Sequence, residues 1–71
     1  MEKRKHYWNG RWGRLARHDV LLYADGGQWQ VEHRVGGTEG RSRWYEHADA
    51  DAALDRIRDL LAGSDGWKEL P

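Results

Sequence analysis

The sequence predicts an α+β domain in which a three-stranded antiparallel sheet is covered on one face by a single C-terminal helix. Two patterns support this prediction. Apolar and polar residues alternate over 28–35, as in a half-buried strand, and from Asp49 onward apolar residues recur with the 3.6-residue period of an amphipathic helix. A chain of 71 residues has room for one such domain.

Packing must supply the stability of so small a fold. The chain has no cysteine, which excludes disulfides and thiolate metal sites. Five Trp and three Tyr provide large side chains for a small core. We expect one domain over residues 14–71, preceded by a basic, aromatic arm or hairpin over residues 1–13.

Residues 19–24 and 28–35 are predicted to form the first hairpin, joined by an Asp-Gly-Gly sequence. A two-residue turn would place Leu22 on the same face as Val31, because opposed residues of an antiparallel pair share a face. A three-residue loop would turn Leu21 inward instead. The sequence leaves this register open.

A third strand is predicted over 41–47, after the glycine-rich turn at 36–40. With a loop of two or four residues, Trp44 would lie on the same face as Trp29 and Val31. The opposite face would then carry Arg41, Arg43 and Tyr45.

The helix should begin after Asp49, a favourable N-cap residue, and should end near Gly63 as a left-handed cap. We expect it to cover the sheet face that carries Trp29 and Trp44, while Trp67 and Leu70 fold back to close one end of the core. The apolar stripe consists of Ala50, Ala53, Leu54, Ile57, Leu60 and Leu61.

The N-terminal segment combines positive charge with aromatic residues. Asn9-Gly10 predicts a tight turn that would set Tyr7 against Trp12, although an arm docked on the domain fits the same residues. Residues 1–18 carry a net charge of +5, which balances the acidic remainder of a chain with no net charge. This asymmetry favours an acidic partner, with a simply solvated arm as the alternative.

Catalytic and metal-binding patterns are lacking. Ser42 and Ser64 lie outside any nucleophile motif, so we expect no enzymatic activity and no cofactor. One turn choice would place His18 opposite His33, but the spacing of the four histidines favours ordinary strand residues over a metal site. No apolar run is long enough to cross a membrane, and a cytoplasmic protein without membrane contact is expected.

The predicted outward sheet face suits nucleic acid, because arginines among polar and aromatic groups can contact phosphates and bases. The alternative is an ordinary solvent-exposed face without a binding role, on which Asp19, Glu32 and Glu46 pair with the arginines. The candidate nucleic-acid-binding residues are Gln30, Arg34, Arg41, Arg43 and Tyr45 on this face, with Lys3, Arg4, Lys5 and Arg11 from the arm.

Three segments carry a resemblance to known DNA-binding domains: Gly27-Gln28-Trp29, Arg41-Ser42-Arg43-Trp44 and the helix start at 49–54. Over about residues 19–62 the chain resembles the arm-type amino-terminal domain of tyrosine recombinases and, more distantly, plant AP2 domains. The resemblance implies that the face with Arg34, Arg41, Arg43 and Tyr45 reads DNA. The acidic helix and zero net charge depart from the pattern.

The sequence therefore predicts a small non-catalytic binding module, with a regulatory role, that contacts nucleic acid. The alternative function is a protein interaction module or a homodimer. In that case the contact would use Tyr7, Trp8 and Trp12, or an exposed edge strand of the sheet.

Overall fold

The computed structural model describes residues 1–71, apart from the side chain of Arg14. Five antiparallel strands form one open sheet and a single α-helix packs on one of its faces, so the α+β class is confirmed while the three-stranded count is wrong. The elements are β1 (Glu2–Asn9), β2 (His18–Asp25), β3 (Gln28–Val35), β4 (Arg41–His47), α1 (Ala50–Leu61) and β5 (Lys68–Leu70).

The strands follow the spatial order β4-β3-β2-β1-β5. The two additional strands come from the segments on either side of the predicted sheet. Residues from the predicted N-terminal arm form β1, which pairs along β2, and the tail after the helix returns as β5 beside β1. Trp67 packs against the core, as the sequence predicts.

The predicted Asn9-Gly10 hairpin is wrong, because Tyr7 pairs with Val20 of β2 rather than with Trp12. Asn9 ends β1 with its side chain buried. Its amide nitrogen donates to the Asp65 carbonyl oxygen at 2.7 Å, and its side-chain oxygen accepts from the Arg11 backbone N–H at 3.1 Å. These bonds tie the start of the loop to the chain beyond the helix, which leaves no room for a local hairpin.

The turn between β2 and β3 has two residues, which decides the register that the sequence left open. Asp25 pairs with Gln28, and both Gly26 and Gly27 have positive φ, as the favoured hairpin turns require. Leu22 therefore lies opposite Val31 on the helix-side face, the face of the sheet that α1 covers.

The predicted register of β4 is wrong by one residue. Val35 pairs with Arg41, so five residues form the loop, and this odd number reverses the two faces of the strand. Trp44 lies on the open face, the face opposite α1, and is 47% exposed. Tyr45 packs on the helix-side face with Val31.

Hydrogen bonds and close packing explain this loop. The Gly36 N–H donates to the Arg17 carbonyl oxygen at 2.8 Å while Gly36 itself is left-handed, with φ of 100°. A Cβ at Gly40 would lie 1.8 Å from the Val35 carbonyl oxygen. The conformation of the loop is thus fixed by a contact with the chain before β2. The number of glycine-rich residues between the strands does not reveal that contact.

The helix begins as predicted, with the Asp49 carboxylate accepting from the Ala52 N–H at 2.8 Å. The helix also ends near Gly63 as predicted, at Leu61, but the left-handed cap is wrong, because Ala62 is the C-cap in right-handed conformation and Gly63 has no positive φ. Gly66 takes the left-handed conformation instead, with φ of 97°, where the chain turns toward β5.

The hydrophobic core lies between α1 and the centre of the sheet. Its buried cluster is surrounded by half-buried apolar and aromatic side chains that include Trp29, Tyr45 and Trp67. Among the described residues, no helix is long and apolar enough to cross a membrane. The cluster consists of Val20, Leu22, Val31, Ala53 and Ile57.

Candidate nucleic-acid interface

One corner of the helix-side face is not covered by α1. It lies at the end of β3, where Val35 is 38% exposed between its cross-strand neighbours His18 and Arg41. Several basic and aromatic side chains of the loop before β2 and of strands β2 to β4 meet here. We call this the basic corner: Arg11, Trp12, His18, His33, Arg41 and Arg43.

The basic corner is held together by ring contacts and one hydrogen bond. The Arg11 guanidinium carbon lies 5.6 Å from the centroid of the Trp12 ring, and that ring lies 4.2 Å from the His18 ring. Nδ1 of His18 is 3.2 Å from Nε2 of His33. Arg43 is the cross-strand neighbour of His33 on β4, so the contacts run across three strands.

The three arginines of the corner have no carboxylate partner. Across the described side chains, ion pairs within 4.0 Å engage Arg4, Lys5, His6, Arg17, Arg34 and Arg58, but not Arg11, Arg41 or Arg43. All three are exposed, as is the Trp12 ring at 43%. The corner therefore presents positive charge that the protein itself does not neutralise.

A shallow hollow of about 530 Å³ opens between the two arginines of β4. Its walls come from β3 and β4 alone, without a contribution from the helix. Burial and the nearby charges of His18 and Arg43 lower the pKa of His33, so this imidazole favours its neutral form. The lining residues are His33, Val35, Arg41, Ser42, Arg43 and Tyr45.

The histidine pair brings together the two residues for which the sequence offered a metal interpretation. A nitrogen separation of 3.2 Å would suit two ligands of one ion. However, within the part of the chain that the structure describes, no group of three His, Cys, Asp or Glu side chains is placed to hold a metal. The pair is accounted for by its hydrogen bond.

The open face carries a second polar cluster, centred on the buried Glu32. Arg34 donates two hydrogen bonds to its carboxylate, at 3.0 and 3.1 Å, and the hydroxyls of Tyr23 and Ser42 donate to it as well. Burial alone would raise the pKa of Glu32, but these bonds hold it below the ordinary value. Burial and the bond to Glu32 raise the pKa of Tyr23 to about 12.

Asp19 is the other buried carboxylate of the open face. Arg17 donates to both of its oxygens at 2.7 Å, and Nε2 of His6 lies 2.6 Å from Oδ2. Burial acts to raise the pKa of Asp19, yet the bonds from Arg17 and His6 keep it low. A hollow of about 460 Å³ adjoins this group and the loop at 36–39, but its arginines, Arg17 and Arg34, are both paired.

The predicted nucleic-acid face is divided by the structure. Gln30 and Arg34 lie on the open face, where Gln30 donates to Glu46 at 2.9 Å and Arg34 binds Glu32. Arg41, Arg43 and Tyr45 lie on the helix-side face, so the prediction that all five residues share one face is wrong.

The predicted arm residues are divided in the same way. Lys3, Arg4 and Lys5 lie at the end of β1 that is far from the basic corner, and Arg4 and Lys5 pair with Glu2 and Glu69. Arg11 alone joins Arg41 and Arg43. Sequence reasoning missed Trp12, His18 and His33 as their neighbours.

No family model, curated protein or solved structure matches this chain.

Proposed function

We propose that the protein is a non-catalytic module that binds nucleic acid through the basic corner. The observation that carries the proposal is a row of three arginines without ion-pair partners, Arg41 and Arg43 on β4 and Arg11 beside the exposed Trp12, on the part of the helix-side face that α1 leaves open. Arginine is suited to phosphate because its planar guanidinium can donate two parallel hydrogen bonds.

The positions of the three arginines suit a nucleic-acid backbone that crosses the basic corner. Arg41 and Arg43 lie on the same face of β4, two residues apart, and flank the hollow. Arg11 lies beyond β2, on the far side of the histidine pair. Phosphates of one strand could contact the arginines at both ends of this stack.

Trp12 favours single strands over duplexes. Its partly exposed ring offers a stacking surface, and bases can reach such a surface only when they are unpaired. Since the arginine at its side already contacts the ring, a base would replace or extend that contact.

Zero net charge limits the strength of binding but not its location. Among the described side chains Arg11, Arg41 and Arg43 have no ion-pair partner within 4.0 Å, so the corner keeps local positive charge although the chain is neutral overall. With three phosphate contacts, the logarithm of the binding constant should fall with the logarithm of salt with a slope of about −2 for a single strand.

The test is fluorescence anisotropy with a labelled oligonucleotide of about eight nucleotides, single-stranded and duplex, at low and moderate salt. Arg43→Ala should weaken binding of the single strand by about tenfold, the equivalent of one charge-assisted hydrogen bond. Lys3→Ala is the matched control, because it removes one exposed positive charge at the opposite end of the sheet.

Binding that is absent at low salt would overturn the proposal, as would an equal loss of affinity for Arg43→Ala and Lys3→Ala.

Tyr45→Ala is not a useful probe of the interface. Tyr45 packs against the core beneath the Arg56 guanidinium, at 4.3 Å, so its removal should lower stability.

A further inference from the structure

Strand β4 forms an edge of the sheet and pairs only with β3. It is seven residues long, and its register with β3 runs without a bulge from Arg41 to His47. The other edge, β5, has only three residues. The outer side of β4 therefore offers a longer row of backbone donors and acceptors to an added strand.

A second copy of the chain fits this edge in one favoured register. In antiparallel pairing, opposed residues share a face of the sheet. A two-fold axis between the strands must therefore pass between the two copies of one residue of β4. An axis at Trp44 pairs all seven residues, whereas an axis at Arg43 would set that arginine against itself. With the axis at Trp44, Ser42 lies opposite Glu46, and Arg43 lies opposite Tyr45.

The charges at the two ends of β4 are complementary in this register. Arg41 and Arg43 occupy the first half of the strand, while His47 at the other end adjoins a hollow of about 240 Å³ that is also lined by Asp55, Arg56 and Asp59 of the helix. Arg56 stacks on Tyr45 and Asp55 pairs with Arg58, whereas Asp59 lies outside the ion pairs of the described side chains. Antiparallel pairing brings Arg41 of each copy opposite His47 of the other. Charges such as that of Arg41 usually discourage edge pairing, but here Arg41 would come close to Asp59 of the other copy, and the two-fold symmetry repeats this contact.

Trp44 gives the axis an apolar centre. It is among the most exposed large apolar side chains, and its ring lies 5.5 Å from that of Tyr23 on the open face. Pairing would place the two Trp44 rings side by side and remove apolar area from water at both copies.

We infer that the chain forms a symmetric dimer by antiparallel pairing of β4 with β4 of a second copy, with the two Trp44 residues facing each other at the two-fold axis and Arg41 close to Asp59 of the other copy. The two sheets then form one continuous sheet. This inference does not rest on nucleic-acid binding.

A charge-swap experiment tests the interface. Arg41→Glu and Asp59→Arg each place like charges together in a homodimer, so each variant should dissociate at least about tenfold more readily than the wild type in sedimentation or light scattering. An equimolar mixture of the two variants should restore the dimer, because both contacts regain opposite charges. Both residues are exposed and lie outside the ion pairs of the described chain, so circular dichroism should show unchanged folding.

Cysteine cross-linking tests the register, since the chain contains no native cysteine. Directly opposed side chains have Cβ atoms about 5 Å apart, which oxidation can bridge, whereas diagonal neighbours are farther apart. A mixture of Ser42→Cys and Glu46→Cys proteins should therefore form mixed disulfide dimers faster than either protein alone. A monomer at all accessible concentrations, a mixture of swaps that stays dissociated, or cross-linking of either cysteine variant to itself at the mixed rate would overturn the inference.

The nucleic-acid proposal and the dimer proposal can be overturned independently of each other. Arg41 and Arg43 contribute to both contacts, so a dimer should bind the oligonucleotide more weakly than a monomer. Trp44→Glu sets like charges on the axis and keeps all three corner arginines. It should be monomeric by light scattering, and in anisotropy it should bind the oligonucleotide at least as tightly as the wild type if the basic corner binds nucleic acid. A Trp44→Glu protein that remains dimeric contradicts the dimer interface alone, and a monomeric one that does not bind contradicts the nucleic-acid site alone.

Discussion

The two faces of the sheet bury their residues by different means. On the helix-side face, α1 covers an apolar cluster that contains Val20, Val31 and Ile57. The open face lies opposite α1, yet on it Asp19 is 1% exposed and Glu32 is 3% exposed. One face is closed by a second layer, and the other is closed by its own side chains.

The difference shows how a small protein can close a sheet face without a second layer. Glu32 is surrounded by the side chains of Arg34, Tyr23 and Ser42, which supply both the cover and the hydrogen bonds. A buried carboxylate without partners would cost several kcal/mol, so the cover and the bonds must be provided together. Long amphipathic side chains do both, because their stems exclude water while their ends donate.

The helix-side face should be the more sensitive of the two to loss of packing. Ile57→Ala removes a side chain that is 3% exposed in the centre of the cluster and should lower the free energy of unfolding by about 3 kcal/mol. Urea denaturation followed by circular dichroism measures this. Leu15→Ala is the control: this side chain is 89% exposed, and its loss should cost less than about 0.5 kcal/mol. Similar losses for both variants would mean that the cluster is not the main source of stability.

Periodicity was sufficient to predict this apolar face in part. The alternation over 28–35 and the helical stripe each identify residues by their own local pattern, and Asp49 is recognisable as a cap from its type and position. β1 and β5 were missed for a different reason. Their pairing depends on contacts between the two ends of the chain, such as the bond from Asn9 to Asp65, which no local pattern contains.

The open face should respond most to the loss of a charge. Glu32→Gln keeps the shape of the side chain but leaves the Arg34 guanidinium without its buried partner, and we expect a loss of about 2 kcal/mol. Glu46→Gln is the matched control, since Glu46 is exposed and accepts one hydrogen bond, from Gln30. If both variants unfold at the same urea concentration, the Glu32 cluster contributes no more than a surface pair.

The basic corner could be predicted only in its residue types. The sequence indicates arginines and aromatic residues near β4, but a loop of five residues instead of four exchanges the faces of that strand. Arg34 then binds Glu32, while Arg41 and Arg43 join Arg11. Trp12 reaches the corner because the hairpin predicted at Asn9 does not form. Local sequence patterns thus identify the strand and its residue types, but they do not determine the register of β4 with β3, and the register decides which residues form the site.

Acid should affect the two faces in separate pH ranges, with the smallest effect on the helix-side face. The pKa of His33 is lowered by burial, by His18 and by Arg43, so the unfolded chain takes up this proton first, and stability should begin to fall as the pH drops below about 6.5. The pKa values of Asp19 and Glu32 are also lowered, so their contribution to stability persists until the pH falls below about 4.

Urea unfolding at a series of pH values should therefore show two declines in the free energy of unfolding. His33→Gln should remove the upper decline and leave the lower one, whereas Glu32→Gln should reduce the lower one. A single decline below pH 4 in the wild type would show that His33 is protonated without cost, and the histidine pair would then add nothing to the stability of the corner.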